Sequence, residues 1–196
     1  MKKVSILPKS TLFTDMIMKS KEFLLRPWKK EDSTSLAEFA NNFHIWNNAR
    51  DSFPYPYTEK DAQSYIELTW QNESIRDFAI VMDGKAVGGI GYVPQYDVER
   101  ISAEIGYWIG EPYWNKGFMT SLVSSFVDRI FETTDILRLY ATVFEYNIPS
   151  MKVLEKNNFR KVGILEKAAV KNNRIIDLHY FELIKDNWDS KLRNKQ

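Results

Sequence analysis

The chain has 196 residues, 44% of them hydrophobic and 27% charged, with a formal net charge of +1 and no cysteine. That length fits one well-buried domain better than two, and the near-neutral charge gives no electrostatic footprint for nucleic acid or a membrane surface. The lack of cysteine excludes disulfides, thiolate nucleophiles and cysteine-ligated zinc and fits a reducing cytoplasm, while two histidines make a metal site a poor expectation.

Residues 1–22 are polar and unpatterned and are expected to form an N-terminal extension, with one domain over 23–196. Pro8, Lys9 and Asp15 interrupt any apolar run before it reaches signal-peptide length, and no segment has the length of a transmembrane span. FLLRPW (Phe23 to Trp28) predicts a first strand. Glu31-Asp32-Ser33 supplies N-cap chemistry for a helix over Leu36, Phe39, Ala40 and Phe43. After the proline-rich DSFPYPYT, Thr58 and Asp61 open a second helix carrying Ala62, Tyr65, Ile66, Thr69 and Trp70.

From Asp77 the texture changes. Phe78 to Met82, the Asp83-Gly84 turn and Ala86 to Val93 predict a hairpin, because Asp-Gly suits the positive φ angles of tight turns. Ile101 to Ile109 follows as a third strand. The next helix has two adjacent apolar rows, Phe118, Leu122, Phe126, Ile130 and Met119, Val123, Val127, Phe131, which predict a broad face packed on a sheet. Ile136 to Phe144 is a further strand, Asn147 to Phe159 a short helix with Pro149 in its first turn, and Asn157-Asn158 its left-handed stop. Two last strands, Lys161 to Val170 and Arg174 to Ile184, are joined by Asn172-Asn173.

Between the strand ending at Ile109 and the helix from Phe118 lies YWNKG, residues 113–117. Unpaired amide groups and the partial positive charge of a helix start suit phosphate oxygens. Gly117 allows close backbone approach, Lys116 adds a cation and Thr120 a hydroxyl. A plain strand-to-helix connection with a solvated first turn fits these features equally well. No Walker phosphate loop occurs, and Gly88, Gly89 and Gly91 lie inside a strand, so the dinucleotide fingerprint fails as well.

Taken together, AEIGYWIGEPYWNKGFMTSLVSSFV, the later NIPSMKVLEKNNF, and the upstream FLLRP, FPYPYT and VGGIG resemble the GNAT superfamily of N-acetyltransferases. The similarity is to the branch that includes ribosomal-protein alanine N-acetyltransferases, over roughly residues 23–185. It implies an α/β (α+β) fold with a mixed, mostly antiparallel sheet of about seven strands and flanking helices. It implies acetyl-CoA as donor, no metal, and an amine acceptor on a protein N-terminus or a small molecule, with the protein a monomer or homodimer. The family's phosphate loop, [QR]-x-x-G-x-[GA], falls on Trp114, Asn115, Lys116, Gly117, Phe118 and Met119, and only Gly117 matches strictly. Backbone amide groups would make most phosphate contacts, so these replacements weaken the sequence match more than the expected binding.

The resemblance further implies that Trp108 and Ile109 offer backbone groups to the pantetheine arm and that the strand after Ile136 splays away to make room. Asn147 and Ser150 match the family's Asn-x-x-Ser at the start of the next helix, as a cofactor-arm contact or as a simple helix cap. An amine attacks the thioester directly in this chemistry, and it must first be neutral. At pH 7 that costs about 4–5 kcal/mol for a lysine-like ammonium but only about 1 kcal/mol for an α-amine. Glu104 is the candidate base, directly or through water, with a structural or substrate-charge role as the alternative. The tyrosine that many members use to protonate the leaving thiolate is replaced here by Leu154, so Ser150 is the nearest candidate and Tyr146 a weaker one. Asp51, Tyr55, Tyr57 and Tyr107 are candidates for the acceptor pocket, although tyrosines in such a loop also pack. A non-catalytic acyl-CoA-binding module is the alternative of another class.

Overall fold

Seven of the strands in the sheet continue a local pattern of the sequence, but the order in which the strands pair is set by long-range packing. The computed structural model describes residues 18–19, 22–71 and 76–188. Its strands are β1 (Met18–Lys19), β2 (Leu24–Pro27), β3 (Arg76–Met82), β4 (Lys85–Pro94), β5 (Ser102–Ile109), β6 (Arg138–Phe144), β7 (Arg160–Lys171) and β8 (Arg174–Ile184). They form one sheet in the order β1-β2-β3-β4-β5-β6-β8-β7, antiparallel except for β5 and β6. Seven substantial strands match the expected architecture. The eighth, β1, falls within the stretch expected to be an N-terminal extension, where Met18 pairs with Leu25 and Lys19 with Leu24. Most of that stretch lies outside the described residues.

The helices are α1 (Ser33–Ala40), α2 (Phe43–Trp46), α3 (Glu59–Gln71), α4 (Phe118–Thr133) and α5 (Ile148–Lys156), and the described residues end in a further helical turn at 185–188. Side chains alternate across the sheet, so β3 sends Phe78, Ile80 and Met82 to one core and Ala79 and Val81 to the other. The larger core lies under α4, whose two rows bury Leu122, Val123, Phe126, Val127, Ile130 and Phe131. Trp188, beyond β8, is buried there too. The smaller core lies under α1 and α3 and joins Trp28, Leu36, Tyr57, Ala62 and Ile66.

Local chemistry explains most boundaries. Thr58 and Asp61 form a reciprocal capping box at α3, with Thr58 N–H to Asp61 Oδ2 at 2.8 Å and Asp61 N–H to Thr58 Oγ1 at 3.2 Å. Asp83 (φ 48°) and Gly84 (φ 79°) close the β3–β4 hairpin in the left-handed region. Gly88 lies so close to β5 that a Cβ there would sit 2.4 Å from the Trp108 carbonyl oxygen, which accounts for a glycine inside a strand.

Three expectations are corrected. Asp32 does not cap α1; its carboxylate pairs with Arg26 through two bonds of 2.6 and 2.8 Å and accepts from the Lys29 amide. Phe43 does not continue the first helix, because Asn42 interrupts it and its Oδ1 caps a new one by accepting from the amides of His44 and Ile45. The left-handed stop of α5 is Asn158 (φ 63°) alone. Asn157 is instead buried, and its Nδ2 donates to the carbonyls of Val153 and Thr120, tying α5 to the first turn of α4.

Candidate active site

The parallel pair β5 and β6 is held together over only three positions, Ser102 with Arg138, Ala103 with Leu139 and Glu104 with Tyr140. Beyond Glu104, β5 stays on β4 as far as Ile109, and β6 stays on β8 as far as Phe144. Each strand keeps its outer neighbour and loses its inner one, so a gap opens in the middle of the sheet. This is the splay expected after Ile136.

The phase of the backbone decides which groups face that gap. Gly110 N–H donates to the Val87 carbonyl, and the register continues through Trp108 opposite Gly89. Alternation then turns the amide groups of Trp108 toward β4 and those of Tyr107 and Ile109 toward the gap. The Ile109 carbonyl is taken by Trp114, whose indole N–H donates to it at 2.6 Å. Of the pair expected to offer backbone groups, Trp108 therefore spends its own on the sheet, and Ile109 keeps its N–H. Tyr107, read from the sequence as an acceptor-pocket side chain, is the additional residue whose backbone borders the gap.

The gap separates two differently furnished faces. On the α4–α5 face, β5 ends in a one-turn 3-10 helix, Glu111–Tyr113, and then Trp114 to Gly117 lead into α4. Asn115 (φ 59°) and Gly117 (φ 83°) both take left-handed backbone, which tightens the loop around the start of α4. A Cβ on Gly117 would meet no atom within 4 Å, so the space over it is open. Lys116 sits with its ammonium 5.9 Å from the Tyr113 ring. Phe118 and Met119 are half-buried against the larger core, and Thr120 gives its carbonyl to Asn157. Amide groups at this helix start, a cation and an open approach over glycine fit a phosphate group.

On the same face, the first turn of α5 stands beside Tyr107. The Tyr107 hydroxyl lies 3.1 Å from Ser150 Oγ and 3.2 Å from the Ser150 carbonyl oxygen. Burial pushes the Tyr107 phenol well above its ordinary range, and the Ser150 hydrogen bond only partly offsets this, so it is protonated at neutral pH. Asn147 Oδ1 caps the helix by accepting from the Ser150 amide at 3.3 Å. Capping accounts for that oxygen, while Asn147 Nδ2 has no hydrogen bond to any described residue. Leu154 is fully buried, and Tyr146 donates to the Asn47 carbonyl at 2.7 Å, so neither stands beside Ser150 as a proton source.

On the opposite face a cavity of about 450 Å³ is lined by residues that include Arg50, Asp51, Glu104, Tyr140, Thr142 and Lys171. Glu104 Oε1 accepts from Arg50 Nη2 at 2.6 Å and from Thr142 Oγ1 at 3.2 Å. Both bonds use the same oxygen, so Oε2 makes no hydrogen bond to a described residue. Lys171 is nearly sealed from solvent, 2.8 Å from Asp51 Oδ1 and 4.1 Å from the centre of the Trp46 ring. Asp51 thus joins the cavity. Tyr55 packs on Trp46 and Phe43, and Tyr57 is buried in the smaller core, so neither lines it. Arg50, Thr142 and Lys171 escaped the sequence reading because their partners are 38 to 120 residues away.

Among the described residues no helix is long and apolar enough to cross a membrane, and no group of three or more metal-binding side chains is gathered.

Residues 22–160 match the family described as Acetyltransferase (GNAT) domain. A probable N-acetyltransferase of Bacillus subtilis (strain 168), YjcK, is 40% identical over 177 residues, covering 83% of this chain and 93% of the relative. Two solved structures share the fold. The ribosomal-protein-S5-alanine acetyltransferase from Vibrio fischeri has a TM-score of 0.75 at 21% identity, over 88% of this chain and 98% of that one. RimL, a ribosomal L7/L12 alpha-N-protein acetyltransferase in complex with coenzyme A, has a TM-score of 0.77 at 19% identity, over 87% and 98%.

Proposed function

Because the chain belongs to the GNAT acetyltransferase family and is an acetyl-CoA-dependent N-acetyltransferase, we propose that it acetylates the α-amine of a protein or peptide N-terminus. The observation that carries this reading is the gap between β5 and β6, with the Glu104 carboxylate on one face and the Tyr107–Ser150 hydroxyl pair on the other. The coenzyme's phosphates rest on the loop from Trp114 to Thr120, and its thioester reaches the gap beside Tyr107 and Ile109. The acceptor enters from the cavity on the other side.

Glu104 Oε2 takes a proton from the incoming ammonium, directly or through water. The freed nitrogen lone pair attacks the acetyl carbonyl carbon, a C–N bond forms and the C–S bond breaks with its electron pair on sulfur. Ser150 Oγ–H donates to that sulfur. When Tyr107 donates to Ser150 Oγ, the serine's own hydrogen is free to point into the gap; the acylated nitrogen then releases its second proton to water, and water returns a proton to Ser150 Oγ. A single carboxylate that is also held by an arginine suits an α-amine, which needs about 1 kcal/mol of deprotonation at pH 7, better than a lysine-like amine. The relatives that act on ribosomal proteins support a peptide acceptor by analogy alone.

The second reading, a small-molecule amine, is favoured by the modest volume of the cavity, about 450 Å³. Thiol release from acetyl-CoA with peptides and small amines in parallel, followed by mass spectrometry of the product, separates the two. Acetyl on the α-nitrogen of peptides supports the proposal. Turnover confined to small amines replaces it, and acetyl-CoA binding with no turnover leaves a non-catalytic binding module.

A further inference from the structure

The cation beside the base has donors to spare. Arg50 uses one Nη2–H on Glu104, and among the described residues its guanidinium makes no other hydrogen bond. Its side chain is 71% exposed and opens onto the cavity. The other cation of the cavity, Lys171, is committed to Asp51 and to the Trp46 face. Opposite charges that can each take a further ligand therefore stand side by side: Glu104 Oε2 as acceptor, and the remaining guanidinium N–H groups as donors.

We propose that the acceptor is zwitterionic around its amine, with an anionic group within a few bonds of the reacting nitrogen, and that Arg50 is the residue that reads it. The ammonium sits on Glu104 Oε2 and the anion on the free edge of the Arg50 guanidinium, whose planar fork fits a carboxylate. A neutral acceptor leaves that edge unused, and an acceptor with a second cation meets like charge there. The carboxylate can be the α-carboxylate of a free amino acid or the side chain of an acidic residue at the start of a peptide. This inference rests on the α-amine part of the reading above, and a free amino acid as acceptor keeps it while replacing the peptide.

The test compares kcat/KM, expressed per neutral amine, for paired acceptors: alanine against alanine amide, and peptides beginning Ala-Asp against Ala-Asn, with the wild type and R50Q. The expected result is that wild type prefers the carboxylate member of at least one pair by about tenfold or more, and that R50Q removes the preference by losing about tenfold more on the carboxylate member than on the neutral one. Preference within the amino-acid pair identifies a free amino acid, and preference within the peptide pair an acidic N-terminus. Equal turnover of both members by the wild type overturns the inference, as does an equal loss on both in R50Q, which would make Arg50 only a holder of Glu104. No turnover of any acceptor overturns the α-amine reading itself, and this inference with it.

Discussion

The hydroxyl of Tyr107 lies 3.1 Å from the hydroxyl of Ser150, joining the strand that borders the gap to the first turn of the helix beside it. If the pair delivers the proton to the leaving sulfur as a unit, Ser150→Ala lowers kcat by about tenfold to a hundredfold, and Tyr107→Phe lowers it by less. The double variant is then no slower than Ser150→Ala, because Tyr107 acts only by orienting Ser150. Steady-state kinetics on the four proteins checks this, and additive losses contradict it. Because burial raises the Tyr107 phenol, no alkaline limb from this group is expected across the usual assay range.

Glu104 is tested by pH. With Glu104→Gln, the proton of the ammonium has no carboxylate to accept it, so kcat/KM for an α-amine acceptor falls most below the amine's own pKa of about 7.7–8. Above that range most of the acceptor is already neutral, and the deficit narrows. A deficit that stays constant from pH 6 to 9 assigns Glu104 to charge or structure instead.

The loop at Gly117 offers a binding test. Its φ of 83° makes Gly117→Ala cost about 1–2 kcal/mol of stability, yet the added Cβ meets open space, so CoA affinity changes little. Gly117→Glu carries the same backbone cost and adds bulk and negative charge where the phosphates are proposed to sit. Calorimetric titration with CoA is expected to give a Kd at least tenfold weaker for Gly117→Glu than for Gly117→Ala. Equal values place the phosphates elsewhere.

Away from the gap, Glu182 ties three strands together, accepting from Arg160 of β7 and Arg138 of β6. Burial raises its carboxyl, but the hydrogen bonds from Arg160 and Arg138 outweigh that and hold it below its ordinary 4.5. A depressed carboxylate contributes stability that is fully present above the unfolded-state pKa and is lost as pH falls through the folded-state value. The wild type is therefore expected to lose stability below about pH 4.5 more steeply than Glu182→Gln. At pH 7 the variant should be less stable by about 1–3 kcal/mol. Urea unfolding at pH 7 and at pH 3.5 measures both, and parallel pH profiles contradict the assignment.

Legibility from sequence followed the range of the interactions. The Asp83-Gly84 turn, the capping box of Thr58 and Asp61 and the paired rows of α4 were readable because each is written within a few residues. The break at Asn42 was not, since a mid-pattern asparagine can equally stay helical, and only its two caught amides reveal the new start. The loop of Trp114 to Met119, with Glu104 and Ser150, came from resemblance. Two facts about them needed coordinates: that Glu104 and Ser150 serve opposite faces of one gap, and that Trp114 occupies the Ile109 carbonyl. Arg50 and Lys171 are ordinary surface letters in the sequence, and only the closing of a loop onto a distant strand gives them partners.

The central claim is that acetyl transfer occurs through the gap between β5 and β6. A crystal structure with a bisubstrate analogue, CoA joined through its sulfur to the α-nitrogen of a short peptide, tests it most directly. The account predicts phosphates on the amides from Lys116 to Thr120, the linking sulfur within hydrogen-bond reach of Ser150 Oγ, and the peptide on the Glu104 face. A pantetheine arm that runs anywhere other than between these strands, or a peptide on the α4–α5 face, would contradict it.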